Sequence, residues 1–186
     1  MSVLSELDQL ISIQDQNPPS LVELPSATEG NSFYVDLNTR TIHGPKHLSV
    51  AKDHKAEVIY FVVDRFYDYM DLSTTICLVQ YVTPDNEPYV YIVPFYDISS
   101  RQKENKLVLP WNIDGAATQL KGPVEYSLRF YKIEGEGKDA KLVYNLNTLS
   151  TVSEVLHGLD VYPLNSEKVD FETKAYELIM SEISKL

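Results

Sequence analysis

The chain has 186 residues, 44% hydrophobic and 23% charged, with 7 glycines and 10 prolines. That suits one globular domain with short appendages. Its 27 acids outnumber its 16 lysines and arginines, giving a net charge of −11, a field that repels phosphate backbones and anionic headgroups, so neither nucleic acid nor a membrane surface is an expected partner.

Residues 2–13, "SVLSELDQLISI", place Val3, Leu7, Leu10 and Ile11 on one stripe at helical spacing. Pro18, Pro19 and Pro25 then forbid a longer helix. A short amphipathic helix on such an arm needs a partner, on its own domain or on a neighbour. The start has neither a basic n-region nor a sustained apolar core, so no signal peptide is expected. The apolar runs also fall short of the ~20 residues that span a bilayer.

From about residue 33 the period becomes strand-like. "SFYVDL" and "RTIHG" flank a turn at Asn38. "AEVIYFVVD" (56–64) is too apolar for a wet face and predicts a central strand, as does "TTICLVQYV" (74–82). The lone cysteine, Cys77, lies in that second run, reads as a small core hydrophobe, and excludes an intrachain disulfide or a cysteine-rich zinc site. "TPDNEP" is a turn, "YVYIVPF" (89–95) an edge strand, and "KLVLPW" (106–111) a short strand broken by Pro110. "VEYSLRFYKI" (124–133), "EGEGKDA" and "KLVYNLNT" read as a hairpin. The 13 tyrosines and 6 phenylalanines favour strands. Together these predict an antiparallel β-sandwich over 33–162, with an N-terminal arm and short helix at 1–32 and a C-terminal helix within 163–186. Ser166 is that helix's expected N-cap, and Val169, Tyr176, Ile179, Met180 and Ile183 form its stripe, widened by Phe171, Ala175 and Leu178. A helix that apolar is expected to be covered on most of its circumference.

Three acids, Asp64, Asp68 and Asp71, crowd "DRFYDYMDLS" (64–73). A helix–loop–helix calcium loop would need a central glycine and a closing glutamate, and this stretch has neither. The favoured reading is a structural corner between two strands, its acids capping backbone N–H groups and Asp64 pairing with Arg65 or Arg129. His43 and His47 have i, i+4 spacing, but Gly44 and Pro45 exclude the helix that would align them on a metal; His54 and His157 stand alone. No nucleophile elbow, phosphate loop or dinucleotide fingerprint appears. The expectation is therefore a non-enzyme with no metal and no cofactor. Trp111 and the tyrosines leave open a carbohydrate-binding module that stacks sugars on exposed rings.

A spaced set of residues carries a resemblance: Asp53 and His54, Asp64-Arg65-Phe66-Tyr67, Asp71-Leu72-Ser73, Trp111, Ala117-Thr118, Lys121-Gly122, Asn147-Thr148 and Gly158-Leu159. On these, residues 53–160 resemble the N-terminal module of the phage baseplate upper protein family. Lys52 stands where that family often has glycine, and the helix at 166–186 stands where members often continue into a region that carries receptor-binding proteins. The resemblance implies a structural virion protein, made in the host bacterial cytoplasm, whose partners are other virion proteins and copies of itself. Capsid-surface decoration, a head auxiliary role and a place in the neck or tail tube are the alternatives, and a host glycan is a further candidate partner. Asp64, Arg65, Asp71 and Trp111 are then corner residues. Val3, Leu7, Leu10, Ile11, Tyr176, Ile179 and Ile183 are candidates for intersubunit contact.

Overall fold

The computed structural model of the chain describes residues 3–23, 31–98, 105–158 and 171–185. Helix α1 (Val3–Gln16) leads into fourteen strands: β1 (Leu21–Val22), β2 (Ser32–Asp36), β3 (Thr41–Ile42), β4 (His47–Val50), β5 (Val58–Asp64), β6 (Phe66–Tyr67), β7 (Met70–Asp71), β8 (Ile76–Val82), β9 (Pro88–Ile92), β10 (Tyr96–Asp97), β11 (Lys106–Asn112), β12 (Gly122–Glu134), β13 (Lys141–Asn147) and β14 (Thr151–Leu156). Helix α2 (Phe171–Ser184) follows. One sheet has the order β1-β10-β11-β5-β2-β3 and the other β4-β14-β12-β8-β9, with β13 also pairing β12; β6 and β7 form a separate two-stranded ribbon.

The long runs β5 and β8 are central, as their lack of a polar face predicts. Among the described residues the ladders are antiparallel except at β1–β10, β2–β5 and β4–β14. β11 is not broken by Pro110, which pairs Tyr60 of β5. Its neighbour on the other side, β10, pairs only at Val108, so the missing N–H lies where that ladder has already ended.

The two sheets share one core. Phe61 of β5 and Trp111 of β11 stack with centroids 6.2 Å apart. Across the interior Trp111 meets Tyr126 of β12 at 5.1 Å and Tyr81 of β8 at 5.6 Å. Such ring pairs add to the stabilisation from burying their area. A Cβ at Gly44 would stand 2.1 Å from the Tyr126 hydroxyl, so this position needs glycine. The hydroxyl is thereby free to reach Ser153 Oγ at 3.0 Å.

The helices part company from here. On β12 the inward set Val124, Tyr126, Leu128 and Phe130 is apolar throughout. Its outward set begins polar (Glu125, Ser127, Arg129) and turns apolar at Tyr131 and Ile133. β8 does the same in reverse, with Ile76 and Leu78 before Gln80 on the outward face. That two-faced patch receives α1: Leu10, Ile76, Leu78, Tyr131 and Ile133 form a second buried cluster, with Leu7, Ile11 and Ile92 packed against it. Each such side chain contributes roughly 1.5–3 kcal/mol when fully covered. Polar contacts fix the seat. Gln14 donates to the Ile133 carbonyl and accepts from the Ile133 N–H, both at 2.9 Å. Tyr131 Oη donates to the Leu10 carbonyl at 2.8 Å.

The arm is thus not separate from the sandwich, since α1 covers one sheet and β1 extends the other. α2 behaves otherwise. Leu178, Ile179, Met180 and Ile183 are 67%, 59%, 46% and 54% exposed, so the expected cover is missing along the described part of the helix. The expected N-cap Ser166 lies outside the described residues.

Candidate functional site

β5 delivers Asp64 and Arg65 to the end of the first sheet, and the β6–β7 ribbon folds back over them. Arg65 is held from both sides, its N–H donating to the Asn105 carbonyl and its carbonyl accepting from Leu72 N–H, each at 2.8 Å. Its guanidinium grips Asp71 as a fork, Nε to Oδ1 at 3.1 Å and Nη2 to Oδ2 at 3.0 Å. Asp71 Oδ1 also accepts from the Ser73 N–H at 3.0 Å and its hydroxyl at 2.7 Å. It thereby caps the 3-10 turn Leu72–Thr74 and drives Leu72 into the core. Burial alone would raise the Asp71 carboxyl, but the Arg65 and Ser73 hydrogen bonds and the Arg65 charge outweigh it and hold the group below its usual 3.8.

Asp64 has a different partner from either expected one. It pairs with Lys106, which lies directly opposite on β11. Arg129, on the other sheet, instead binds Glu6 of α1 at 3.1 Å and Asn145 of β13 at 2.8 Å. Asp68 plays no part in the corner's bonding network. With φ 46° and 68°, Asp68 and Tyr69 make the two-residue loop of a hairpin with both central residues left-handed. Tyr69 is fully exposed at the tip, and Phe66 is half-exposed beneath the Arg65 guanidinium at 5.2 Å. Trp111 is no corner residue. It is completely buried at the centre of the sandwich, which removes it as a sugar platform.

Most of the remaining spaced residues that the structure describes hold turns, while Leu159 lies outside the described residues. Asp53 accepts from Ser49 Oγ at 3.0 Å, and its backbone carbonyl accepts from Thr118 Oγ1. The Thr118 carbonyl receives Lys52 N–H at 2.7 Å. His54 Nδ1 accepts from Gly115 N–H at 2.9 Å. Ala117 N–H and the Tyr81 hydroxyl both donate to Asp114 Oδ1 at 3.0 Å. Thr148 closes β13 onto β12, its N–H donating to the Leu128 carbonyl and its Oγ1 accepting from Leu128 N–H, each at 2.9 Å. Gly122 has φ 125°, and Gly158 sits where a Cβ would crowd Val50 at 3.1 Å. Lys52 has φ 71°, the left-handed conformation that glycine adopts without strain.

Five of the seven residues expected between subunits divide into two groups. Leu10 is buried, and Leu7 and Ile11 are half-buried, on the chain's own β8 and β12, because those strands supply the apolar patch described above. Ile179 and Ile183 are exposed on α2. The side chains of Val3 and Tyr176 lie outside the described residues. A groove of about 670 Å³ runs between α1 and β13, walled by Leu7, Leu10 and Leu142, with Arg129 and Glu6 at its rim. Sequence reasoning missed Lys106 and the projecting Tyr69. Register decides the first, while the "YDYM" turn was the available signal for the second. A scan against protein-family models and a search of curated proteins each return no match.

Proposed function

We propose that the chain is a structural protein of a bacteriophage virion, a protein–protein scaffold of the tail or baseplate that binds other virion proteins and copies of itself. The observation that carries this reading is α2, a helix whose described large apolar side chains, Leu178, Ile179, Met180 and Ile183, are exposed and belong to neither buried cluster. Apolar surface of that kind marks a place for another protein. The motif residues support the same reading, since those described in the corner and the turns hold backbone or an opposite charge. Among the described residues no helix is long and apolar enough to cross a membrane.

The test is proteomic. Particles purified from a culture that expresses the chain are washed in high salt, and their proteins quantified by mass spectrometry. Recovery at a fixed ratio to the tail proteins is expected. A chain found only in the soluble lysate would contradict the proposal. The exposed ring of Tyr69 favours a second reading, contact with a host glycan through ring stacking. A glycan array probes it, and Tyr69→Ala should abolish any binding seen.

A further inference from the structure

We infer that α2 is the self-association element of this protein, through which three or four copies of the chain pack their C-terminal helices as a parallel bundle. This deepens the assembly reading above by naming the partner as the same helix of another copy. From Tyr176 one line of apolar residues runs 176, 179, 183 and 186, in steps of three, four and three, with Leu178 and Met180 on its flanks. That 3.5-residue repeat is the signature of a seam shared between helices, as opposed to a helix lying on a sheet. Isoleucine occupies both kinds of seam position, Ile179 and Ile183, a choice that favours three or four strands over two. Breadth points the same way. At 3.6 residues per turn, the exposed set from Leu178 through Ile179 and Ile183 to Met180 spans about 200° of the helix, interrupted by Glu182, far wider than a two-stranded seam covers.

Among the described residues, the buried apolar clusters of the sandwich include none from α2. The outer surface of the β8–β12 sheet is apolar where α1 already lies, and beyond α1 it presents Gln80, Ser127 and Glu125 interspersed with the exposed Val90 and Val152. Twelve residues, 159–170, separate Gly158 from Phe171. A stretch of that length spans at most about 40 Å when fully extended. Glu172 takes a seam position in the first turn, so the seam proper begins at Tyr176.

The experiment is the mass of the full chain by size-exclusion chromatography with light scattering, loaded at about 100 μM, where micromolar association is populated. The expected mass is three or four times 21.2 kDa. Ile179→Lys combined with Ile183→Lys, both at exposed positions, should return it to a single chain while leaving the sandwich's melting transition in place. Glu172→Leu should extend the seam and hold the assembly together at least tenfold more dilute. A monomeric or dimeric wild-type chain overturns the inference, as does a double variant whose mass does not fall. A monomer still recovered in particles would overturn the bundle and leave the virion reading standing. A bundle whose chain is absent from particles would do the reverse.

Discussion

α1 and α2 are both fourteen residues long and both amphipathic, yet one is part of the core and the described side chains of the other stand in solvent. The difference lies less in the helices than in what awaits them. β8 and β12 break their polar outward pattern at Ile76, Leu78, Tyr131 and Ile133, and that break is a receiving site for one helix. The Gln14 pair with Ile133 then fixes the helix along the strand, since a shift by one turn would leave both backbone groups unpaired. Beyond that patch the same sheet's exposed Val90, Val152 and Leu156 are interspersed with Gln80, Glu125 and Glu154, and among the described residues α2 joins neither buried cluster. An amphipathic stripe therefore reports that a helix needs a partner, and only the facing sheet reports whether the partner is internal.

The sharpest way to break this comparison is Leu10→Ala, expected to cost about 2–4 kcal/mol in chemical unfolding because it empties the centre of the α1 seat. The same change at Ile183 should stay within about 0.5 kcal/mol for the sandwich transition. Equal effects would mean that the helices are not different in kind. Next in size is alkaline unfolding. Burial pushes Tyr131 up to about 12, and burial also raises Tyr96 and Tyr126. Unfolded tyrosines lose their protons near 10.0, so stability is full below that value and falls between it and the folded values. Removing residues 1–17 should shift the Tyr131 share of the tyrosinate absorbance back toward 10.0, whereas removing α2 should not move it.

Gln14→Ala should cost about 1–2 kcal/mol through two lost backbone hydrogen bonds, with no counterpart on α2. Asp71→Asn, in the β6–β7 corner, serves as the reference and should cost about 1–2 kcal/mol at neutral pH. Because the folded Asp71 carboxyl sits below 3.8, its contribution is present above that value and fades as pH falls through the folded one. The acid limb of the variant's stability curve should accordingly be flatter, and an unchanged limb would show that the Arg65 fork adds nothing.

Much of the sandwich was legible because long alternating or wholly apolar runs admit few alternatives, as at β5, β8 and β12. β14 was hidden because its pattern is inverted. Ser153 points inward to Tyr126 while Val152 and Leu156 point out. The parallel edges of both sheets join strands distant in sequence, and no local signal encodes them. At the corner, the Arg65–Asp71–Ser73 unit was readable because it is local. The Asp64–Lys106 pair depends on the register of two strands 42 residues apart. The seat of α1 was written in β8 and β12, but it becomes readable only once those strands are known to be neighbours.

The central claim is that the sandwich with α1 is complete and α2 is free for assembly. A chain ending at Gly158 tests it most directly, by its melting transition and its mass measured together. The midpoint of the sandwich transition is expected to match that of the full chain, and the mass to be that of one copy. A midpoint lowered by several degrees would show that the C-terminal segment covers the core, and an assembly that survives the truncation would place self-association elsewhere on the molecule.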